Sequence, residues 1–215
     1  MEARFDKVIY LVRHGESEGN IRDVHGHHEH ALTPKGRKQA RHVADRLTKL
    51  PIEVLVASTM VRARETGEII SDKISVPLEL SDLFTEALVP SVMRDAPRNS
   101  PMSLEFEVAK TEHYNDPYFR FADEENYTDL KSRAVAALKF LSTHPQKHIA
   151  VVTHGFFLRA LVSVAVFGQD MHNQEFHRIT ETFHAANTGL TVLGYDQLRS
   201  NPWWLWVWND HAHLG

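Results

Sequence analysis

The sequence has no cysteine in 215 residues. Disulfides, a thiol nucleophile and thiolate metal sites are therefore excluded. It has no apolar run of membrane-spanning length. It has no excess of positive charge either: 24 Lys and Arg stand against 28 Asp and Glu, a formal net charge of -4. That balance argues against a nucleic-acid-binding face and leaves room for a local cationic pocket. The opening residues, Met1-Glu2-Ala3-Arg4-Phe5-Asp6-Lys7, alternate in charge and build no signal-peptide core. A cytoplasmic location is expected. No internal repeat, low-complexity tract or linker divides the chain. The expectation is one domain over residues 1–215, with an irregular lid or insertion at about 84–126, where Pro90, Pro97, Pro101 and Pro117 punctuate the chain.

What the chain does have is the apolar run Val8-Ile9-Tyr10-Leu11-Val12, leading straight into Arg13-His14-Gly15-Glu16-Ser17. A short continuous run of this kind fits a strand buried on both faces of an open α/β sheet. Such sheets bind ligands just beyond the carboxyl ends of their strands. Two more runs repeat the pattern. Ile52 to Ala57 ends at Ser58-Thr59, with Arg62 a helical turn on, and Ile149 to Thr153 ends at His154-Gly155. Helical spacing of Ala40, Val43, Ala44 and Leu47 follows Thr33-Pro34, an N-cap and a first-turn proline. Ser58-Thr59 is expected to cap a second helix. Further helices are expected at Met102 to Lys110, Tyr127 to Thr143 and Phe157 to Phe167. Short strands are expected at Leu78 to Leu80, Thr188 to Tyr195 and Trp203 to Trp208. If the three ends are neighbours in a parallel sheet, two Arg and two His meet at one edge. Helix starts there would add free backbone N–H groups. Such a pocket suits a dianionic oxyanion, most simply phosphate.

These residues resemble the histidine phosphatase superfamily, the phosphoglycerate mutase-like fold. Arg13-His14-Gly15-Glu16-Ser17 with Asn20 is similar to its signature. Leu32-Thr33-Pro34-Lys35-Gly36 through Gln39-Ala40 resembles its first helix. Ser58 to Thr66 resembles its second-arginine motif, and Thr153-His154-Gly155 its second-histidine motif. Asn187, Asn209-Asp210 and His213-Leu214 resemble its closing hairpin. The resemblance implies a three-layer α/β/α sandwich with a mostly parallel central sheet.

It also implies that His14 is the nucleophile of a phosphomonoester hydrolase, forming a phosphohistidine that water then cleaves. Arg13, Arg62 and His154 would hold the phosphoryl oxygens. Asn20, Gly26 and Gly155 would line the substrate side. Glu86, in Leu83-Phe84-Thr85-Glu86-Ala87, would be the general acid, burial against Phe84 and nearby phosphate charge helping to keep it protonated. There the sequence departs from the family pattern, which continues with a Gly and a Trp-Glu-Gly where this chain has Ala87-Leu88-Val89-Pro90. The implied substrate is a small phosphorylated metabolite, with no cofactor, no metal, no nucleic acid and no membrane; a homodimer stays open. A phosphoglycerate mutase and a non-catalytic phosphate-binding module are the competing readings.

Other residues invite different readings. His25-Gly26-His27-His28-Glu29-His30 has the composition of a metal site. The expected role is a polar loop beside the anion pocket. At strand alternation Trp204, Trp206 and Trp208 share a face, expected to pack into the core. Arg94 and Arg98 are either solvated or reach a second acidic group on the substrate. Glu16 and Ser17 either belong to the site or cap and solvate its loop.

Overall fold

The computed structural model describes residues 5–26 and 28–215. Its centre is a six-stranded sheet of β1 (Lys7–Arg13), β2 (Val54–Ala57), β3 (Leu78–Leu80), β4 (His148–Thr153), β5 (Leu190–Tyr195) and β6 (Trp203–Asp210). The spatial order is β3-β2-β4-β1-β5-β6. The first four in that order run parallel; β5 is antiparallel to both β1 and β6. Around the sheet lie α1 (Glu18–Arg22), α2 (Pro34–Leu47), α3 (Val61–Ile74), α4 (Pro101–Glu112), α5 (Tyr127–Thr143), α6 (Gly155–Phe167) and α7 (Asn173–Thr182).

Alternation along the strands sorts side chains into two cores. Ile9 and Leu11 of β1 join Val54, Val56, Ile149 and Val151 beneath α5 and α6. Tyr10 and Val12 join Leu55, Ala57, Ala150 and Val152 beneath α2 and α3. The result is the three-layer α/β/α sandwich. Burying one such aliphatic side chain contributes roughly 1.5–3 kcal/mol relative to leaving it in water. That is why near-continuous apolar runs, and not alternating ones, mark the central strands.

Thr33 caps α2 as expected, its side chain accepting the Gly36 N–H. α3 starts later than the sequence suggests. Met60 is its N-cap residue, while Ser58 Oγ accepts the Met60 N–H at 3.2 Å and bonds to His154. The serine is thus drawn toward the sheet and not into the helix cap.

The tryptophan pattern also differs. Trp203, Leu205 and Trp208 pack on the α5–α6 side, whereas Trp204 and Trp206 are exposed. A register shift places Val192 opposite Val207 and Leu193 opposite Leu205, so β6 carries an extra residue at Trp206. A bulge of this kind inverts the alternation beyond it, and Trp208 changes face.

Residues 84–126 hold α4 and a short 3-10 turn at Ser91–Met93, joined by loops. They are tied to the histidine-rich loop by backbone bonds from His25 N–H to Ala96 O and from Arg98 N–H to Asp23 O. No helix among the described residues is long and apolar enough to cross a membrane.

Candidate active site

Strand register brings the separated motifs together. Arg13 of β1 lies opposite Thr153 of β4, and Ala57 of β2 lies opposite Val152. The next residues continue the ladder: His14 N–H donates to Thr153 O at 2.9 Å, and Ser58 N–H donates to Val152 O at 3.0 Å. His14, Ser58 and His154 are therefore first residues beyond three adjacent parallel strands, where such sheets bind ligands.

His14 is only 3% exposed. Its Nδ1 is 2.7 Å from Gly15 O, and Arg62 Nε lies 3.2 Å from its Nε2. An arginine Nε–H can only donate, so Nε2 must accept with a lone pair. The ring proton then sits on Nδ1 and is donated to the Gly15 carbonyl. Burial holds the imidazole well below its usual titration range. Arg62 and Arg13 add to that effect, and the bond to Gly15 opposes it. His14 is a neutral imidazole with a defined tautomer.

The loop that carries it is braced on every side. Gly15 N–H donates to Thr66 Oγ1 at 3.2 Å, and Thr66 in turn donates to Arg62 O at 2.7 Å. Asn187 Nδ2 donates to His14 O at 2.9 Å. Glu16 accepts from Thr33 Oγ1 and from Lys35 Nζ, locking the loop to the start of α2. That contact needs a bare backbone at Gly36: a Cβ there would stand 2.0 Å from Glu16 O.

Five of the backbone N–H groups near the strand ends are committed elsewhere. Those of Gly15, Glu16 and Ser17 go to Thr66, Gln39 and Asn20. Those of Phe156 and Phe157, in the first turn of α6, go to Glu86. The formal positive charges at the strand ends are those of Arg13 and Arg62. Arg62 is 4% exposed, and burial lowers its pKa to about 10; Glu86 raises it and Arg13 lowers it further. Burial likewise lowers the Arg13 value, against Glu86, which raises it. Arg13 also donates to Ala185 O.

His154 is fully buried, its ring centroid 5.0 Å from that of His14. Its Nε2 lies 2.8 Å from Ser58 Oγ, and its Nδ1 is buried without a hydrogen-bond partner. Burial, followed by Arg62, His14 and Arg13, keeps this ring neutral too. Glu86 sits at the head of α6. Its Oε1 accepts from Ala87 and Phe157 N–H at 3.0 and 2.8 Å, and its Oε2 from Phe156 N–H at 3.1 Å.

Arg13, His14, Asn20, Gly26, Arg62, Glu86 and Gly155 all line one cavity of about 580 Å³; His154 stands just outside its lining. A Cβ at Gly155 would touch Arg13 Nε at 3.2 Å, and one at Gly26 would reach Arg62 Nη2 at 3.5 Å. Asn20 Oδ1 accepts from Ser17 N–H and Oγ–H. Its amide nitrogen is the end left for another partner. The opposite wall comes from residues 86–126, including Arg94, Arg98, Phe106 and Lys110. Arg98 is 3.7 Å from Asp23, both exposed.

The histidine-rich loop fans out. His25 bonds to Ser103 Oγ, His30 to Asp95, and His28 pairs with Glu29. Among the described residues no three His, Asp or Glu converge as metal ligands. His27 lies outside the described residues.

Thr66 and Ser58 are the contributors that motif reading quoted without a role. Thr66 sits four residues after Arg62, on the same helix face, which is the signal that could have found it.

Known proteins resemble this chain in sequence or in fold. A Schizosaccharomyces pombe protein named "Probable phosphatase" is 33% identical over 171 residues, covering 72% of this chain and 76% of its own. An Enterobacter protein named "Probable phosphoglycerate mutase GpmB" is 33% identical over 213 residues, covering 96% and 94%. Among solved structures, Bacillus stearothermophilus YhfR superposes with a TM-score of 0.79 at 24% identity, covering 97% of this chain and all of its own (100%). A mycobacterial glucosyl-3-phosphoglycerate phosphatase complexed with VO3 superposes at 0.77 and 18% identity, covering 95% and 99%. The family model for the histidine phosphatase superfamily (branch 1) matches residues 9–211, and the chain belongs to that superfamily.

Proposed function

We propose that the protein hydrolyses phosphomonoesters of small metabolites through a phosphohistidine on Nε2 of His14. The observation that carries this reading is the pair of bonds on the His14 ring, Nδ1 to Gly15 O and Arg62 Nε to Nε2. They leave a neutral ring whose lone pair lies beside a guanidinium on the cavity wall. A phosphoryl group arriving there takes the Arg62 N–H onto one of its oxygens, and the lone pair is released toward phosphorus.

The Nε2 lone pair forms the N–P bond as the ester P–O bond breaks. Arg13 and Arg62 follow the charge on the equatorial oxygens. The unpartnered Nδ1 of His154 is a further atom available to them. The leaving alkoxide takes its proton from the Glu86 carboxyl. In the second half, Glu86 takes a proton from water, the water oxygen attacks phosphorus, and the P–N bond breaks to release inorganic phosphate. No metal and no organic cofactor enters either step.

The likeness to a phosphoglycerate mutase-named protein over 96% of the chain keeps phosphoryl return as the second reading. Hydrolysis is favoured because Asn20 and Gly26 are exposed at the mouth of the cavity, so water has access. The test is incubation with a phosphomonoester panel, and with 3-phosphoglycerate plus 2,3-bisphosphoglycerate, against a His14→Ala control. Free phosphate from the unmodified protein alone supports hydrolysis. An isomerised phosphoglycerate supports the mutase, and binding without turnover supports a phosphate-binding module.

A further inference from the structure

Arg133, on α5, appears in no motif, yet all five of its N–H donors are used. Nε and Nη2 grip the two carboxylate oxygens of Glu125 at 2.7 and 2.6 Å. Nη1 donates to Leu83 O and Thr85 O at 3.2 and 2.8 Å, and Nη2 also reaches Glu86 O at 3.4 Å. The guanidinium lies 4.0 Å above the Phe157 ring, whose own backbone N–H holds Glu86 Oε1. Glu125 completes the frame. Its Oε2 accepts Leu88 N–H at 3.0 Å, and its N–H donates to Leu88 O at 3.2 Å. Both side chains are largely shielded, at 15% and 13% exposure.

A shielded ion pair is weak evidence of stability in itself, because well-packed apolar residues often serve as well. What sets this one apart is where its bonds go. They fix the carbonyls of residues 83, 85 and 86 and both backbone groups of residue 88, on either side of one carboxylate. A planar fork suits that task, and a lysine ammonium does not.

We infer that Arg133, clamped by Glu125, is a positioning residue that aims Glu86 at the leaving-group oxygen. The inference rests on the reading of Glu86 as the general acid. Arg133 itself touches no substrate in this scheme. Loss of the clamp leaves His14, Arg13 and Arg62 in place and lets the Glu86 loop wander. A misplacement of even 1 Å in a catalytic group lowers rates by about a hundredfold.

The test uses the intact protein with three variants: Glu86→Gln, Arg133→Lys and Glu125→Gln. Arg133→Lys keeps the charge and removes the fork; Glu125→Gln loosens the clamp from the other side and serves if the lysine variant does not fold. Each is assayed on an alkyl phosphate and on p-nitrophenyl phosphate, whose leaving group scarcely needs a proton. The expected result is a selective loss: kcat/KM for the alkyl ester falls by about tenfold or more beyond any change for the aryl ester. A merely structural role lowers both substrates by one factor, and that outcome, or no change in either, overturns the inference. If Glu86→Gln shows the selective loss and the clamp variants do not, only the clamp is wrong. If Glu86→Gln itself shows none, the acid assignment falls and takes the inference with it.

Discussion

Arg62 points its Nε–H at Nε2 of His14 across 3.2 Å, in a pocket where both side chains are nearly sealed from water. In the proposed mechanism the same guanidinium keeps the attacking nitrogen unprotonated and takes up the charge that attack creates. Arg62→Ala is expected to lower kcat by about a hundredfold to a thousandfold, the loss typical of a preorganised donor. Steady-state kinetics with p-nitrophenyl phosphate check it, and a change of only a few fold would contradict the assignment.

Glu86 is held by the Phe156 and Phe157 N–H groups at the head of α6 and by the N–H of Ala87. Glu86→Gln preserves the side-chain shape and removes the transferable proton. Turnover of an alkyl phosphate is expected to fall by about a hundredfold or more, and that of p-nitrophenyl phosphate by much less. Equal losses on the two esters would mean that Glu86 shapes the pocket and transfers no proton.

Much of this site was legible in the chain because apolar runs end abruptly at charged residues. Val12 gives way to Arg13-His14 and Val152-Thr153 to His154, and parallel register makes those ends coincide. The bond between Arg62 and Nε2 was not legible, since it depends on how α3 leans over the sheet. Nor was the face of Trp208, which a single bulged residue reverses. Helix α1 has five residues, too few to show a period, and α7 offers little beyond Phe176 as a buried apolar anchor. Arg133 reads in the sequence as an ordinary helix cation. Only the fold shows that its partners are the carbonyls of a distant loop.

His14 and His154 are both buried neutral, with values pushed below the ordinary imidazole range. The unfolded chain takes up protons below pH about 6.5, which the folded chain refuses. Stability is therefore unaffected above that value and falls as pH drops through it. Between pH about 6.5 and about 5.5 each such ring costs about 1 kcal/mol. Denaturant unfolding at the two pH values is expected to show a smaller loss for His154→Gln than for the natural chain. Identical losses would indicate that His154 titrates freely in the folded protein.

Gly36 gives its missing side chain to the contact with Glu16 O. Gly36→Ala forces the start of α2 away from the His14 loop. A loss of about 1–3 kcal/mol is expected, as for other overpacked sites. Chemical denaturation measures it, and an unchanged midpoint would show that the loop relaxes at no cost.

The scheme uses side chains alone, and His25, His30 and His28 bond to Ser103, Asp95 and Glu29. Prolonged chelation is therefore expected to leave turnover unchanged. Stoichiometric zinc that leaves together with activity, and restores it on return, would replace this chemistry with metal-assisted hydrolysis.

The most direct measurement is the site of phosphorylation. A single turnover quenched in alkali, with the phosphoryl group located by tandem mass spectrometry and phosphorus NMR, is expected to place it on Nε2 of His14. A phosphoryl group on Nδ1 or on another residue, or full turnover by His14→Ala with no phosphoenzyme, would contradict the account.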